Sequence, residues 1–255
     1  MNLIHAIILG IVEGFSEFLP ISSTGHLILT ARLLALTQTD FLKSFEIAIQ
    51  LGAILSVLVL YSKSFLVNFE VIKRIVAAFL PTAILGFIFY KLIKKFLLSS
   101  DQVVLWSLFI GGIVLVLFEK VHRVKPDAIK DISEMSYAQA FWIGVFQSVA
   151  MIPGVSRSAA TIVGGLILGF ERKMIVEFSF LLAVPTMLAA TGLDLLKNAN
   201  AFSMDEFGFL LIGFVSSFVV ALVCIKWLLR FVQSHSFIAF GIYRIVLALA
   251  FWFIF

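Results

Sequence analysis

The chain has 255 residues, of which 62% are hydrophobic and only 13% charged, and its mean hydropathy is +1.12. A soluble globular domain is nearer half apolar and a quarter charged, so that class is excluded. The net charge of +4 is spread through loops without a basic, aromatic-interleaved stripe, which argues against nucleic acid as a partner; Cys224 stands alone, so neither an intramolecular disulfide nor a CxxC metal site can form.

Apolar runs recur along the whole chain, the pattern of an all-α polytopic membrane protein. The first pieces, residues 3–19 and 26–36, are broken at residues 20–25. Three runs long enough to cross a bilayer follow, at 45–61, 75–93 and 103–118. A charged linker, residues 121–135, leads to a second broken pair, 140–152 and 159–170, interrupted at 153–158. Three more candidate spans follow, at 176–193, 207–228 and 237–255. Sliding the chain by roughly 134 residues lays Gly10 on Gly144, Glu13 on Gln147, Ser22 on Ser156 and Thr24 on Ser158, the mark of a duplicated unit. The expected organisation is one integral membrane domain, 1–255, with repeats over about 1–120 and 136–255.

If each broken pair enters and returns on one side, each half crosses an odd number of times and the two halves are inverted. The breaks then meet near the bilayer midplane, where protein or a watery cavity shields their polar backbone. On this scheme Lys63, Lys73, Arg74, Lys120, Arg123, Lys125, Lys130, Arg172, Lys173, Lys226 and Arg230 share one side. Arg32, Lys43, Lys91, Lys94, Lys95 and Lys197 share the other. The larger basic set marks the cytoplasmic side, so both broken pairs' polar residues are reached from opposite faces, the Glu-bearing pair from outside.

The first break lies in EGFSEFLPISSTGHL (13–27). Glu13 and Glu17 are one helical turn apart, and two carboxylates this close in low dielectric share a proton or bind a cation, for which oxygen donors suit Mg²⁺ or Ca²⁺. Ser22, Ser23 and Thr24 precede His26. A hydroxyl beside an imidazole can be an activated nucleophile or proton donor, although Ser22 and Thr24 can equally cap the helix that begins there. The second break, PGVSRSAAT (153–161), carries Arg157 among Ser156, Ser158 and Thr161. A guanidinium, hydroxyls and a helix N-terminus together make an oxyanion cradle; an ion pair from Arg157 to Glu13 or Glu17 is the plainer alternative. Glu46 and Gln50, on one helix face, are expected to pair with Arg244 of the last span and lock helices together.

These two motifs, with FEIAIQLGAIL (45–55) and the overall length, resemble the bacterial undecaprenyl-diphosphate phosphatases, the bacitracin-resistance family. The resemblance covers essentially the whole chain. It implies an inverted-repeat helical fold in the bacterial inner (plasma) membrane with an active site opening to the outer face. It also implies hydrolysis of undecaprenyl diphosphate to the monophosphate and inorganic phosphate, which recycles the lipid carrier for cell-wall polymers. Carried over by position, the resemblance makes Glu17, Ser23, His26 and Arg157 catalytic. Thr24, Ser156, Arg157, Ser158 and Thr161 bind the phosphates, and Glu13 and Glu17 hold a divalent cation. Ser23 is either the nucleophile or a phosphate ligand while water attacks. The expected partners are the polyprenyl diphosphate and membrane lipids, with room for a homodimer. The rivals are a transporter or flippase of a polyprenyl phosphate, an architecture that inverted repeats also serve, and a phosphatase of other isoprenoid diphosphates.

Overall fold

The computed structural model describes residues 1–37, 39–62, 68–92, 101–123, 127–197 and 206–254. The expected charges at Lys63, Lys94, Lys95 and Lys125 and the span ends Ile93 and Phe255 lie outside the described residues. Ten α-helices run through the described residues: α1 (Leu3–Ser16), α2 (Ser23–Leu33), α3 (Asp40–Leu60), α4 (Phe69–Leu92), α5 (Asp101–Val121), α6 (Tyr137–Ser148), α7 (Arg157–Ile167), α8 (Arg172–Lys197), α9 (Phe207–Phe231) and α10 (Ile238–Ile254). Five of them, α3, α4, α5, α8 and α9, are long and apolar enough to cross a membrane. The sixth expected span is the 17-residue α10, which belongs with the shorter apolar helices. The chain is therefore an all-helical, multi-pass membrane protein.

Caps fix where the helices start. Asn2 accepts from the His5 N–H at α1, and Ser136 forms a full capping box with Gln139 at α6. Ser22 and Ser156 cap α2 and α7 by accepting from the N–H groups of Gly25 and Ala159. Both serines have left-handed backbone, φ 74° and 73°, a strained choice for a residue with a side chain. Past the ends of α2 and α7, Ala35 and Gly169 also turn left-handed, at φ 51° and 90°. These backbone features recur at roughly the same 134-residue offset that relates the two motifs.

Packing between the halves follows a matching pattern. Helix α1 lies along α9 and α6 along α4, while α5 packs on α10 and α3 on α8. Helices α2 and α7, which follow the breaks, both touch α5. The residues just before α2 are anchored in the core: Phe18, Leu19 and Ile21 are buried with Phe178, Phe180 and Leu181 of α8, and the Phe18 and Phe180 rings meet edge to face at 5.1 Å. The irregular backbone of the first break is thus enclosed by protein, as backbone at membrane depth must be. The outer surface of the helices exposes many large apolar side chains, Phe87, Val223 and Phe253 among them. On the linker side, a bridge between Ile129 and Phe170 pins the chain to the end of α7, and the Ser133 hydroxyl and N–H hold the Asp131 carboxyl below its usual range.

Small residues set the closest helix contacts. A Cβ on Gly144 would stand 2.0 Å from the Ala78 carbonyl oxygen of α4, and one on Gly10 2.5 Å from that of Gly213 in α9. Backbone is the obstacle in both cases, so neither helix can yield by moving a side chain. Gly144→Ala should therefore destabilise the bundle by about 1–3 kcal/mol, read as a lower thermal midpoint in detergent. An unchanged midpoint would mean that α4 and α6 do not pack this closely.

Candidate active site

The two breaks bring their polar side chains together. Glu17 follows the last residue of α1, continues its helical backbone, and is 4% exposed. Its Oε2 accepts from the Ser23 hydroxyl at 2.5 Å and its Oε1 from Arg157 Nη2 at 2.9 Å. The carboxylate therefore links the first residue of α2 to the first residue of α7. Arg157 Nη1 donates to the Ser179 carbonyl of α8 at 2.7 Å and to its hydroxyl at 3.3 Å. Of the alternative ion pairs open to Arg157, the one formed is with Glu17.

A cavity of about 80 Å³ opens at this junction. Glu17, Ser22, Ser23 and Thr24 line it from the first break; Pro153, Gly154, Ser156 and Arg157 line it from the second. Ala150 and Met187 complete the wall. Both α2 and α7 begin here. Their capping serines take the third N–H of each helix, and helix geometry leaves other first-turn N–H groups and the positive dipole ends for an anion.

The remaining expected residues are placed around this cavity rather than all upon it. Ser158 donates to the Leu19 carbonyl at 2.8 Å and pairs with the Ser156 hydroxyl at 3.1 Å, so it ties the breaks together from behind. Thr161 bonds the Arg157 and Ser158 carbonyls and the Ser179 hydroxyl. His26 lies off the cavity: its Nδ1 meets the Ser22 carbonyl at 2.7 Å, and its Nε2 meets the Tyr243 hydroxyl at 2.8 Å, with the rings stacked. Since a carbonyl only accepts, Nδ1 carries the proton, and in the neutral ring Nε2 accepts from Tyr243. His26 and Tyr243 border a second, apolar cavity of about 300 Å³ between α1, α2 and α10, lined by Ile11, Phe15, Leu29, Leu33, Leu247 and Phe251 among others. Helix α2 thus shows its first turn to the polar cavity and its later residues to the apolar one.

Ser179 and Tyr243 have no counterpart in the sequence reading. Each is an ordinary residue in an apolar span, and only the fold brings it to Arg157 or His26. The expected pairing of Arg244 with Glu46 or Gln50 does not form. Arg244 instead donates to four main-chain carbonyls, because α10 packs on α5 behind the breaks and α3 lies elsewhere.

Glu13 is fully buried and does not line the polar cavity; among the described residues no donor reaches its oxygens, and its carboxyl lies against that of Glu17. Glu17, Glu46 and Arg157 are the charges it feels. At the corresponding position in the second half, Gln147 is held by its amide nitrogen to Thr82 and Thr186. Two carboxyls this close would share a proton or hold a Mg²⁺ or Ca²⁺ ion between hard oxygens. Among the described residues no group of three or more His, Cys, Asp or Glu could hold a metal, so phosphate oxygens and water would have to complete the shell.

These features define a multi-pass helical membrane protein with a guanidinium- and hydroxyl-lined cavity where two interrupted helices meet. The family profile described as "Bacitracin resistance protein BacA" matches residues 6–250, and the chain belongs to that family. It is 55% identical over 247 residues to the undecaprenyl-diphosphatase of Aquifex aeolicus (strain VF5), covering 97% of this chain and 96% of that protein. It is 54% identical over 252 residues to the protein of the same name from Sulfurihydrogenibium sp. (strain YO3AOP1), covering 99% of each. With that of Wolinella succinogenes it shares 49% identity over 253 residues, 99% of this chain and 98% of the relative.

Proposed function

We propose that the chain hydrolyses undecaprenyl diphosphate to undecaprenyl phosphate and inorganic phosphate, returning the lipid carrier to cell-wall synthesis and conferring bacitracin resistance. The observation that carries this reading is the Ser23–Glu17–Arg157 chain of hydrogen bonds in a cavity one helical turn from an apolar one. A carrier of lipid phosphates has use for Arg157 and the helix ends, but none for a hydroxyl held against a carboxylate. The relatives' shared name points to the same activity.

The diphosphate occupies the polar cavity and the head-proximal isoprene units the apolar one. Arg157 exchanges Glu17 for phosphate oxygens, its fork matching them while Ser179 holds its other arm. Glu17 Oε1 is then released, and Oε2 takes the proton of Ser23 as the Ser23 oxygen attacks the terminal phosphorus. The Ser23 O–P bond forms, the bridging P–O bond breaks, and undecaprenyl phosphate departs with the proton that Glu17 took, leaving Glu17 a carboxylate again. Water then attacks the phosphoserine, Glu17 taking its proton and returning it to the Ser23 oxygen as the O–P bond breaks, which releases inorganic phosphate and restores the starting hydroxyl. Arg157, Thr24, Ser156 and the helix N–H groups stabilise charge on the transferring phosphoryl group, with Ser158 and Thr161 fixing their positions. His26, stacked on Tyr243, stands between head group and chain and orients the first helix turn through the Ser22 carbonyl. A divalent cation held by Glu13 and Glu17 would neutralise phosphate charge.

We read the recurring backbone and the reciprocal packing of α1 on α9 and α6 on α4 as two inverted repeats whose α1–α2 and α6–α7 pairs re-enter the membrane from opposite faces. The basic-loop asymmetry supports an active site facing outward from the bacterial plasma membrane.

Phosphate release from undecaprenyl diphosphate by detergent-purified protein tests the reading. Turnover is expected, is lost on chelation, and returns with Mg²⁺ or Ca²⁺. Folded protein inactive under every divalent cation would defeat the phosphatase; activity indifferent to chelators would remove the cation alone.

A further inference from the structure

Arg244 of α10 is 1% exposed, and among the described residues no carboxylate pairs with it. A buried guanidinium surrounded only by dipoles is costly, so its contacts are informative. Nη1 donates to the Val155 carbonyl at 3.1 Å and the Pro20 carbonyl at 3.4 Å. Nη2 donates to the carbonyls of Gly154 at 2.9 Å and Ser107 at 3.0 Å. One side chain therefore holds both breaks and α5. Space for it is made in α5, where a Cβ on Gly111 would stand 2.2 Å from Nη2.

The three break carbonyls belong to peptides whose N–H groups are those of Val155, Ser156 and Ile21. Val155 donates to the Ile152 carbonyl and Ile21 to that of Leu19, at 3.2 and 2.7 Å. The Ser156 N–H is the remaining one, and Ser156 lines the polar cavity. In a trans peptide the N–H points away from its carbonyl, hence away from Arg244. A cation on the carbonyl also polarises the N–H opposite.

We propose that Arg244 is a positioning residue of the phosphate site: it locks the two breaks in register, aims and polarises the Ser156 N–H, and lends the cavity a positive charge that no carboxylate among the described residues cancels. It acts through the peptides and does not touch the substrate. The inference rests on the phosphatase reading.

Arg244→Gln and Arg244→Lys, compared with Gly144→Ala as a variant destabilised elsewhere, separate this role from scaffolding. Turnover, inhibition by orthovanadate and inorganic phosphate, and thermal midpoint are measured for each. The Gln variant should lose about 100-fold in kcat and bind both anions about tenfold more weakly, while Lys, which keeps the charge, recovers most of the anion binding. Gly144→Ala should keep wild-type inhibition constants at its lower midpoint. Wild-type anion binding in folded Arg244→Gln, or equal weakening in Gln and Lys, would overturn the role of the charge. An inactive wild type would instead remove the phosphatase reading, and direct orthovanadate binding would still report on Arg244.

Discussion

Arg157→Ala should lower kcat for phosphate release by about 10³-fold or more, the scale set by arginines that stabilise transferring phosphoryl groups. Two losses contribute. The phosphate loses its bidentate donor, and Glu17, 4% exposed, loses the cation that balances it. Breaking a buried pair from one side typically costs about 3–5 kcal/mol, so a fall in thermal midpoint should accompany the loss of activity. Arg157→Lys separates the two effects. An ammonium can still balance Glu17 and hold the midpoint near wild type, but it cannot span Glu17 and Ser179 with a planar fork. The expected result is a stable protein with kcat reduced about 100-fold. Near-normal turnover in a folded Arg157→Ala protein would remove Arg157 from the reaction.

The residues most legible in the sequence are those whose type conflicts with their surroundings. Glu17, Arg157 and the serine clusters stand out because lipid-spanning sequence cannot carry them without a purpose. Pro20 and Pro153 mark the breaks, and the fold places these groups around one cavity. The helix piece 26–36 is shifted at its start because Ser22 caps α2, whose first residue, Ser23, lies three residues before the periodic apolar pattern begins. Cap chemistry is local and hydropathy is not, so the two disagree at boundaries.

What the sequence could not reveal is which main-chain groups are bare. Arg244 invites pairing with the nearest-looking acid, Glu46, yet four carbonyls supply its partners, and carbonyls have no sequence signature. Ser179 and Tyr243 are invisible for the same reason. His26 adjoins the hydroxyls in sequence, but the helical turn from Ser22 rotates its ring toward Tyr243 and the apolar cavity. Closeness along the chain therefore does not by itself put two side chains in one cavity: Ser22, Ser23 and Thr24 line the polar cavity and His26 the apolar one.

Glu17→Gln should reduce kcat by about 10³-fold, because the amide keeps the shape and an accepting oxygen but cannot take a proton, and its midpoint should fall as well, since the buried Arg157 loses its counter-charge. Ser23→Ala should fall to a similar level if its oxygen becomes bonded to phosphorus. The decisive quantity is the double variant. Groups that act as one unit lose most of their contribution with the first deletion, so Glu17→Gln with Ser23→Ala should be about as slow as the slower single variant. Were water the attacking group, Ser23 would be only a phosphate ligand; its alanine variant would retain turnover within about tenfold, and the two losses would multiply. Acid quenching during turnover of substrate labelled in its terminal phosphate gives an independent readout. Label should remain on wild-type protein and be absent from Ser23→Ala. The 2.5 Å bond between the Ser23 hydroxyl and Glu17 favours the coupled outcome, since a hydroxyl already bound to its base cannot lose one partner without altering the other.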